Sequence, residues 1–374
     1  MNALRRTAAA VGLWWMTVGG AALAGVPFPA DAAIDSIEWM EPCTLPSATD
    51  AAGVVHDAQF QLASCCDPVD DCCTLDWADG DACGDCFSAA AWAQQPMWSV
   101  AAGAIFLHRS RPDPAAIITP PTGTPGVTVN GAEFGFGWDA GPDVSLLRRT
   151  RSGLLLEGRY FNDREADAAQ RIPNINTFRV AGIGVTILGG GSINSFYATK
   201  LDSAEFNVHT PLTDRVTVLG GFRWIELRDT LRSDIATPAT FVQWDNRNHM
   251  YGGQIGTNIS LTRPTNPLRL NCALKAGLYG NVADNRYRST IMSSTSDRET
   301  ETAFAGEINV TAAYYVTKHI ALRGGYQVLW LDHVAIAADA AARTTQVAGG
   351  TQSFVQTDGR VWYNGALAGV EFTW

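Results

Sequence analysis

Hydrophobic and polar residues alternate with a period of two along several long segments of the chain. Over residues 362–374, one side of an extended strand carries mainly Trp, Ala, Val and Phe, and the other carries Tyr, Gly and Glu. Residues 268–279 and 320–330 repeat the pattern, with mainly Leu, Ile and Val opposite Arg, Asn, Lys and Gln. Such alternation over about ten residues is typical of strands that face lipid on one side and a polar lumen on the other. A soluble sandwich also alternates, so the connections must decide between the two folds.

The connections between these segments alternate between short and long. Tight turns are predicted at 148–152, 211–214, 262–267 and 317–318. Longer polar stretches lie at 109–129, 163–193, 232–247, 285–300 and 337–352. Short periplasmic turns and long extracellular loops give this pattern in membrane barrels, and a sandwich has no reason to produce it. We therefore predict an all-β fold, an antiparallel up-and-down transmembrane β-barrel.

The same pattern predicts the number of strands. Ten strands are predicted, at 97–108, 131–146, 152–162, 194–210, 215–230, 249–261, 268–283, 301–316, 319–334 and 353–374. Ten is even, as expected of a bacterial single-chain barrel, and it places both ends of the barrel on the periplasmic side. The segment Thr177–Leu188 also looks strand-like. It forms either an extracellular hairpin or part of an extra strand pair, so twelve strands are the alternative.

The chain ends in an aromatic residue that follows apolar residues at alternate positions. These residues are Val370, Phe372 and Trp374. The ending resembles the C-terminal signal that the barrel-assembly machinery of bacteria recognises in outer-membrane barrels. We therefore expect that machinery and outer-membrane lipid to be partners of the chain, and the cell outer membrane to be its location.

The N-terminus has the pattern of an export signal. Arg5 and Arg6 precede an apolar stretch, and Ala22-Leu23-Ala24 offers a cleavage site, which predicts a signal peptide over residues 1–24. A second cleavage site at 30–32 and a short membrane anchor are the alternatives. After residue 30, no apolar stretch reaches the roughly 18 residues that a membrane helix needs. The 374-residue chain has a net charge of −10, which argues against nucleic acid as a partner.

Seven of the eight cysteines lie between the signal and the predicted barrel. Because exported chains mature in an oxidising compartment, these seven are candidates for disulfides, with one thiol left over: Cys43, Cys65, Cys66, Cys72, Cys73, Cys83 and Cys86. The C-x-x-C spacing at the end of the segment would suit zinc, but vicinal cysteine pairs are unusual for a zinc ribbon, and no metal site is predicted. We predict a cysteine-rich periplasmic extension over 25–96 and the barrel over 97–374.

Four segments of the predicted barrel resemble the beta-barrel porins of planctomycete-type bacteria. They are SAEFN at 203–207, LGGFRWIEL at 219–227, YGGQIG at 251–256, and GYQVLWL at 325–331 with Ala335. The resemblance spans roughly residues 97–374 and leaves out the cysteine-rich segment. It implies an outer-membrane barrel and suggests a porin role, with small solutes or ions as candidate cargo. It identifies no solute and no cofactor.

The polar side of the predicted strands carries ten ionisable residues that should point into the lumen. They are Glu133, Glu157, Arg159, Glu205, Arg223, Arg269, Lys275, Glu307, Arg323 and Glu371. Charges inside a narrow barrel must be paired or hydrated, because burying a lone charge is prohibitive. Barrels of about eight strands are nearly filled by side chains, whereas open channels occur at about 16–18 strands. A ten-strand barrel with five acids and five bases inside therefore favours a salt-bridged lumen, and twelve strands would leave room for a narrow path.

The apolar side of the strands should face lipid. Cys272 lies on that side between Leu270 and Leu274, where it acts as a small hydrophobe rather than as a disulfide partner or ligand. Aromatic residues near the predicted strand ends are expected to form girdles at the membrane interfaces: Trp98, Trp138, Tyr160, Trp224, Tyr251, Trp330 and Trp374.

Histidine and carboxylate residues near the extracellular strand ends are the sequence's only hint of catalysis. Asp332-His333, Asp229, Asp245 and His249 could place a general base beside carboxylates. No nucleophile elbow, His-Glu-x-x-His or P-loop motif occurs, so we predict no enzyme and name no catalytic residue. A rim hydrolase is the minor alternative. Adhesion or anchoring through the loops and the cysteine-rich segment is the larger one.

Overall fold

The structure, a computed structural model, describes residues 97–120, 128–180, 185–235, 237–263, 266–347 and 350–374. The predicted signal peptide, the cysteine-rich extension and its seven cysteines lie outside these residues. None of the described helices has both the length and the apolar character needed to cross a membrane. Cys272 is a free, half-buried thiol.

The described chain is built mainly from strands. They are β1 (Trp98–Arg109), β2 (Ala116–Thr119), β3 (Val129–Asn130), β4 (Trp138–Arg149), β5 (Leu155–Asn162), β6 (Ala166–Val180), β7 (Val185–Pro211), β8 (Val216–Ile235), β9 (Thr237–Ser260), β10 (Leu268–Ser289), β11 (Thr295–Tyr315), β12 (Ile320–Val334), β13 (Thr345–Val347), β14 (Gly350–Gln352) and β15 (Gly359–Thr373). A 3-10 turn covers Gly131–Glu133, and one helix, α1, covers Ala337–Arg343.

Ten of these strands form an antiparallel, barrel-like sheet. The pairings run through β1, β4, β5, β7, β8, β9, β10, β11, β12 and β15, and β15 pairs in turn with β1. Each of the ten therefore has an antiparallel neighbour on both sides. The prediction of an all-β antiparallel sheet of about ten strands is confirmed.

The strand-like segment Thr177–Leu188 belongs to a hairpin between β6 and β7. β6 pairs with the first part of β7, and β5 pairs with residues 202–209 farther along the same edge. The hairpin therefore prolongs the sheet beyond the end of β5, where β2 and β3 add to it. It adds no strand to the set of ten, which decides against the twelve-strand alternative.

Short turns join the strands at one end of the sheet, and their sequences explain them. In the turn between β7 and β8, the Thr213 hydroxyl accepts hydrogen bonds from the backbone N–H groups of Arg215 and Val216. The Thr317 hydroxyl does the same between β11 and β12. Such side-chain bonds are why threonine favours turns. Gly153 has φ +83° between β4 and β5, a conformation that glycine adopts without steric cost.

The outward face of the ten strands carries a belt of exposed apolar side chains. Members include Phe222 on β8, Leu278 on β10 and Val370 on β15, which are 52%, 65% and 47% exposed. Cys272 shares the outward side of β10 with Leu274 and Leu278, as its alternation requires. Trp98 stacks on Trp374, with ring centroids 6.5 Å apart, at the end of the sheet where the described chain begins and ends. So large an exposed apolar area is unusual for a protein surrounded by water.

The strands are longer than predicted, because the polarity of their two faces inverts along their length. Beyond Trp224 on β8, the outward side chains become charged, and the inward ones, such as Leu227 and Leu231, become apolar. The sequence pattern predicts loops at 232–247 and 285–300, whereas β8 to β11 continue through most of both stretches. In these stretches, apolar and polar residues still alternate, but the apolar residues lie on the inward face instead of the outward face.

Two further boundaries differ from the predictions. The predicted strand 131–146 begins only at Trp138, because residues 131–133 form the 3-10 turn. Asn130 caps that turn, accepting a hydrogen bond from the Ala132 N–H on its side-chain oxygen. The stretch 337–352, predicted as a loop, contains α1 and the small β13–β14 hairpin.

Candidate functional site

The lower part of the lumen, nearer the short turns, is crossed by a network of buried charges. At its centre, Glu307 on β11 lies between two arginines that come from other strands. Arg223 Nη1 is 2.8 Å from Glu307 Oε2, and Arg159 Nη1 is 3.2 Å from Glu307 Oε1. All three side chains are at most 3% exposed. The alternation of β5, β8 and β11 places them on the inward face, and the closure of the sheet brings them together.

A second carboxylate, Glu205 on β7, completes the network. Lys275 Nζ on β10 donates to both of its oxygens, at 2.8 and 2.9 Å. Gln254 also donates to Glu205, at 2.6 Å, and Arg159 Nη1 lies 3.7 Å away. Asp143 on β4 accepts from Arg159 Nε at 2.9 Å. Three cations therefore face three carboxylates, so the charges at the centre of this polar layer balance.

Amide groups, His209 and a further carboxylate, Glu157, lie at the edges of the polar layer. Gln327 Oε1 accepts from Arg159 Nη2 at 2.7 Å and from the Asn309 amide at 3.2 Å. His209 Nε2 lies 2.9 Å from Glu157 Oε2. Buried charges are tolerated when they are paired and hydrogen-bonded in this way. Nearly every charge of the layer is held by partners from two or more strands, so the network ties opposite walls of the barrel together.

An apolar layer lies above the polar one, toward the long connections. It is formed by inward side chains that are at most 1% exposed: Ile105, Leu107, Phe161, Leu201, Ile225, Leu227, Met250, Leu329 and Leu331. They belong to one contiguous core cluster. Buried apolar side chains in protein interiors pack closely and leave few voids as large as a water molecule.

Helix α1 closes the lumen above the apolar layer. Four of its alanines, Ala337, Ala338, Ala340 and Ala341, are buried and belong to the same core cluster. Small side chains allow a helix to pack inside so narrow a space. At the far end of α1, Trp244 Nε1 of β9 donates to Thr344 Oγ1 at 2.8 Å. The helix is therefore part of the buried core.

A buried ion pair fixes the start of α1. Arg109 on β1 and Asp229 on β8 meet at 2.6 Å, with side chains 1% and 0% exposed. The same carboxylate accepts from the Tyr197 hydroxyl at 2.6 Å and from the Ala337 N–H at 2.9 Å. Ala338 N–H donates to the Tyr197 oxygen at 3.3 Å. Across the described residues, the lumen thus contains a polar layer, an apolar layer and a tethered helix, one above the other.

The acidic residues around the exposed side of α1 form a separate cluster outside the strands. Burial raises the pKa of Asp339 to about 6, and repulsion from Asp358 and Asp113 adds to the effect. Arg343 acts in the opposite direction and lies 2.8 Å from Asp358. In the connection after β5, burial raises the pKa of Asp163 to about 7. In the described part of the chain, Asp339 and Asp163 therefore have pKa values much closer to neutral pH than an ordinary aspartate has.

The structure places the ten predicted lumen residues in three environments. Arg159, Glu205, Arg223, Lys275 and Glu307 are buried together in the polar layer, and Glu157 borders it. Arg323 and Glu371 are half-buried lower down, where they bond Ser145 and Ser99. Arg269 is exposed near the beginning of β10, over the ring of Tyr315. Glu133 is not in the lumen: it is exposed in the 3-10 turn, because β4 begins five residues later.

Three important lumen residues were missed by the sequence analysis. Arg109 lies one residue beyond its predicted strand, Asp229 is predicted at the rim, and Asp143 is not among the ten predicted lumen residues. The signal was available, because Arg109 continues the inward series of Ile105 and Leu107 at a spacing of two. The three residues predicted as the assembly signal, Val370, Phe372 and Trp374, are exposed on the outward side at the end of β15.

The residues considered for a rim hydrolase are not brought together. Asp229 is buried against Arg109, whereas His249 lies on the outward side, 3.3 Å from Glu226. Asp245 pairs with Arg288 at 2.6 Å. His333 and Asp332 lie 3.5 Å apart on β12, far along the sheet from β9. Within the described ranges, no group of three or more His, Cys, Asp or Glu side chains could hold a metal ion.

The family whose model matches the chain is described as "Putative beta barrel porin-7 (BBP7)", and the match covers residues 158–358, more than half of the chain. No curated protein matches. Among solved structures, the outer membrane protease OmpT from Escherichia coli is similar at 9% identity, with 74% of this chain and 96% of that chain covered and a TM-score of 0.46. The Pseudomonas putida toluene transporter TodX (8% identity, 76% and 92% covered) and a Pseudomonas aeruginosa FadL homologue (11% identity, 75% and 90% covered) both have TM-scores of 0.28.

Proposed function

Since the chain belongs to the beta barrel porin-7 (BBP7) family, we propose that it is an outer-membrane β-barrel whose lumen is closed at rest, so that it spans the membrane without holding an open pore. The observation that carries the proposal is that the polar layer, the apolar layer and helix α1 fill the lumen at three successive heights. A solute would have to break the balanced ion pairs of Glu307 and Glu205, part the apolar layer, and displace α1.

The location in the membrane is supported by the outward face. Its exposed apolar belt includes Phe222 and Leu278, and the aromatic residues Tyr251 and Trp374 lie at opposite ends of the belt, each half-exposed. Transmembrane barrels carry such a belt about 25 Å tall between two aromatic girdles. In water, the same belt would favour aggregation.

The porin description of the family supports a second candidate, in which the closed lumen opens transiently. The element to move would be α1, which is held by the pair Arg109–Asp229 and covers the apolar layer. Leaving one charge of a buried ion pair without its partner costs about 3–5 kcal/mol. An opening that requires this step would be rare in the wild-type protein and frequent in a variant without the pair.

Three expectations about the ends of the chain extend this proposal. We infer export by the signal over 1–24, assembly through Val370, Phe372 and Trp374, and a periplasmic position for the cysteine-rich segment over 25–96. The same segment could link barrels through an unpaired cysteine. A nonreducing gel of the exported protein tests that link: a band at the dimer position supports it, and a strictly monomeric band refutes it.

Single-channel conductance of the refolded full chain in planar bilayers tests the central proposal. Three proteins are compared: the wild type, the tether variant Arg109→Gln with Asp229→Asn, and the control Arg360→Gln with Asp332→Asn. The control removes a pair of similar length, 3.1 Å, on the outward face, where Arg360 is exposed. A heat-modifiable band on a gel confirms folding of each protein before the measurement.

The outcomes separate the candidates. Silence from all three folded proteins supports a barrel that does not conduct. Silence from the wild type and the control, with discrete steps from the tether variant, supports transient opening through α1. Regular, discrete steps from the wild type would refute the closed lumen.

A further inference from the structure

A groove of about 700 Å³ lies along the outward face of β8 to β11, beyond the apolar belt. Five arginines line it: Arg228, Arg247, Arg286, Arg288 and Arg298. Three aspartates also line it, which leaves an excess of positive charge. The excess stands out because the chain as a whole has a net charge of −10. The groove plays no part in closing the lumen.

The strand register gathers these charges in a row. Arg228 lies opposite Arg247, and Arg247 lies opposite Asp284 on the next strand. Asp284 lies opposite Arg298, and Lys200 of β7 extends the row at its other end. Like charges placed directly opposite each other destabilise a sheet. Within the row, this repulsion acts between Lys200, Arg228 and Arg247, and acidic neighbours offset only part of it.

The neighbouring acids do not neutralise the row. Glu226 is shared between Arg228 and Arg247, with 3.7 Å to the latter. Asp245 pairs with Arg288 at 2.6 Å, and the Arg288 side chain is still 50% exposed. Arg298 pairs with Asp284 at 2.5 Å and is 70% exposed, whereas Arg286 forms no ion pair within 4 Å among the described residues. Guanidinium groups remain available to a ligand in the groove.

The height of the groove matches that of lipid headgroups. On β9, Arg247 lies four residues beyond the girdle residue Tyr251, and both point outward. Four residues span about 13 Å along a strand, or about 10 Å along the membrane normal at a typical barrel tilt. Headgroups occupy about 6 Å on each side of the hydrocarbon core, and long arginine side chains lean toward them. The guanidinium groups can therefore reach the phosphate level.

We propose that this groove binds the phosphate groups of outer-leaflet lipid headgroups. The planar guanidinium group matches a phosphate in a bidentate geometry, and several arginines on adjacent strands can share the oxygens of one headgroup. The proposal rests on the proposed function, because only a barrel in a membrane presents its outward face to lipid.

The test measures lipid selectivity by fluorescence. The full chain is refolded into phosphatidylcholine vesicles that contain either brominated phosphatidylcholine or brominated phosphatidic acid, and tryptophan quenching gives the ratio of the two affinities. The groove variant is Arg247→Gln, Arg286→Gln and Arg288→Gln. The control variant, Arg164→Gln, Arg171→Gln and Arg360→Gln, loses the same charge from exposed arginines elsewhere.

An arginine beside an anionic headgroup contributes about fivefold to affinity. We expect the wild type and the control to prefer phosphatidic acid, and the groove variant to lose roughly tenfold or more of that preference. Equal preference in the two variants would overturn the proposal. So would a preference that inorganic phosphate removes at constant ionic strength, because the groove would then bind free phosphate. A wild type that folds in vesicles without any preference refutes the groove alone, whereas failure to insert refutes the proposed membrane barrel itself.

Discussion

Glu307 is the residue whose removal should most clearly reveal how dry the lumen is. In the Glu307→Leu variant, Arg223 loses its 2.8 Å partner and Arg159 loses one at 3.2 Å. Arg159 keeps Asp143, and Lys275 keeps Glu205, so Arg223 bears most of the loss. One uncompensated positive charge then remains in a layer whose side chains are almost completely buried.

The size of the effect follows from burial. Removing one partner of a buried ion pair costs about 3–5 kcal/mol of folding stability, whereas an exposed ion pair contributes about 0–1 kcal/mol. We expect Glu307→Leu to lower the free energy of unfolding by about 3–5 kcal/mol. Adding Arg223→Met restores the balance of charge, and replacing both partners by apolar groups is often neutral. The double variant should therefore lie within about 1 kcal/mol of the wild type.

The assay is urea unfolding of the barrel in lipid, followed by tryptophan fluorescence and by the heat-modifiable band. Asp332→Asn is the control, because it breaks an ion pair with the exposed Arg360 on the outward face. A loss of 1 kcal/mol or less for Glu307→Leu, equal to that of the control, would refute the reasoning. The charges would then be hydrated, and the lumen would be a wet channel rather than a closed layer.

Three further predictions concern residues outside the polar layer. Because its raised pKa favours the protonated form of Asp339 in the folded state, that stabilisation is complete below about pH 4 and is lost as the pH rises through about 6, by up to about 3 kcal/mol. Urea unfolding across this range should show a smaller decline in Asp339→Asn than in the wild type, because Asp163 contributes to the decline of both proteins, and equal declines would contradict the prediction. His333 has φ +61° at a bulge in β12, so His333→Val should be about 1–2 kcal/mol less stable than His333→Gly, as measured by the same unfolding, and equal stability would show that the bulge is not strained. Cys272 is half-buried on the outward side of β10, so Cys272→Ala should give an unchanged folded band on a gel, and loss of the band would contradict that position.

The sequence predicted the lower barrel well because two simple rules act there together. Residues Ile320–Trp330 and Trp362–Trp374 alternate between lipid-facing and lumen-facing positions, and short turns fix how the strands pair. Hence five of the ten listed ionisable residues meet in one layer. Their pairing partners could not be predicted, because Glu307 and Arg223 are 84 residues apart and meet only when the sheet closes.

The upper barrel was harder to predict for a physical reason. In the proposed membrane position, water replaces lipid on the outside above the apolar belt, and the outward residues of β8 and β9 there become charged while the inward ones become apolar. A search for lipid-facing apolar residues therefore ends the strands too early. Helix α1 is only seven residues long, and its alanines are buried by the barrel around them rather than by any pattern of their own.

The height of the outward apolar belt can be compared with the thickness of a lipid bilayer. On β12, apolar outward side chains run from Ile320 to Trp330, which is about 33 Å along the strand and about 25 Å along the normal at a typical tilt. The average hydrocarbon core is about 30 Å thick, and the bacterial outer membrane is thinner than average. Hydrophobic mismatch would therefore be small in a thin bilayer and larger in a thick one. In the proposed membrane position, the height of this apolar belt would favour thin bilayers over thick ones, independently of what the lumen does.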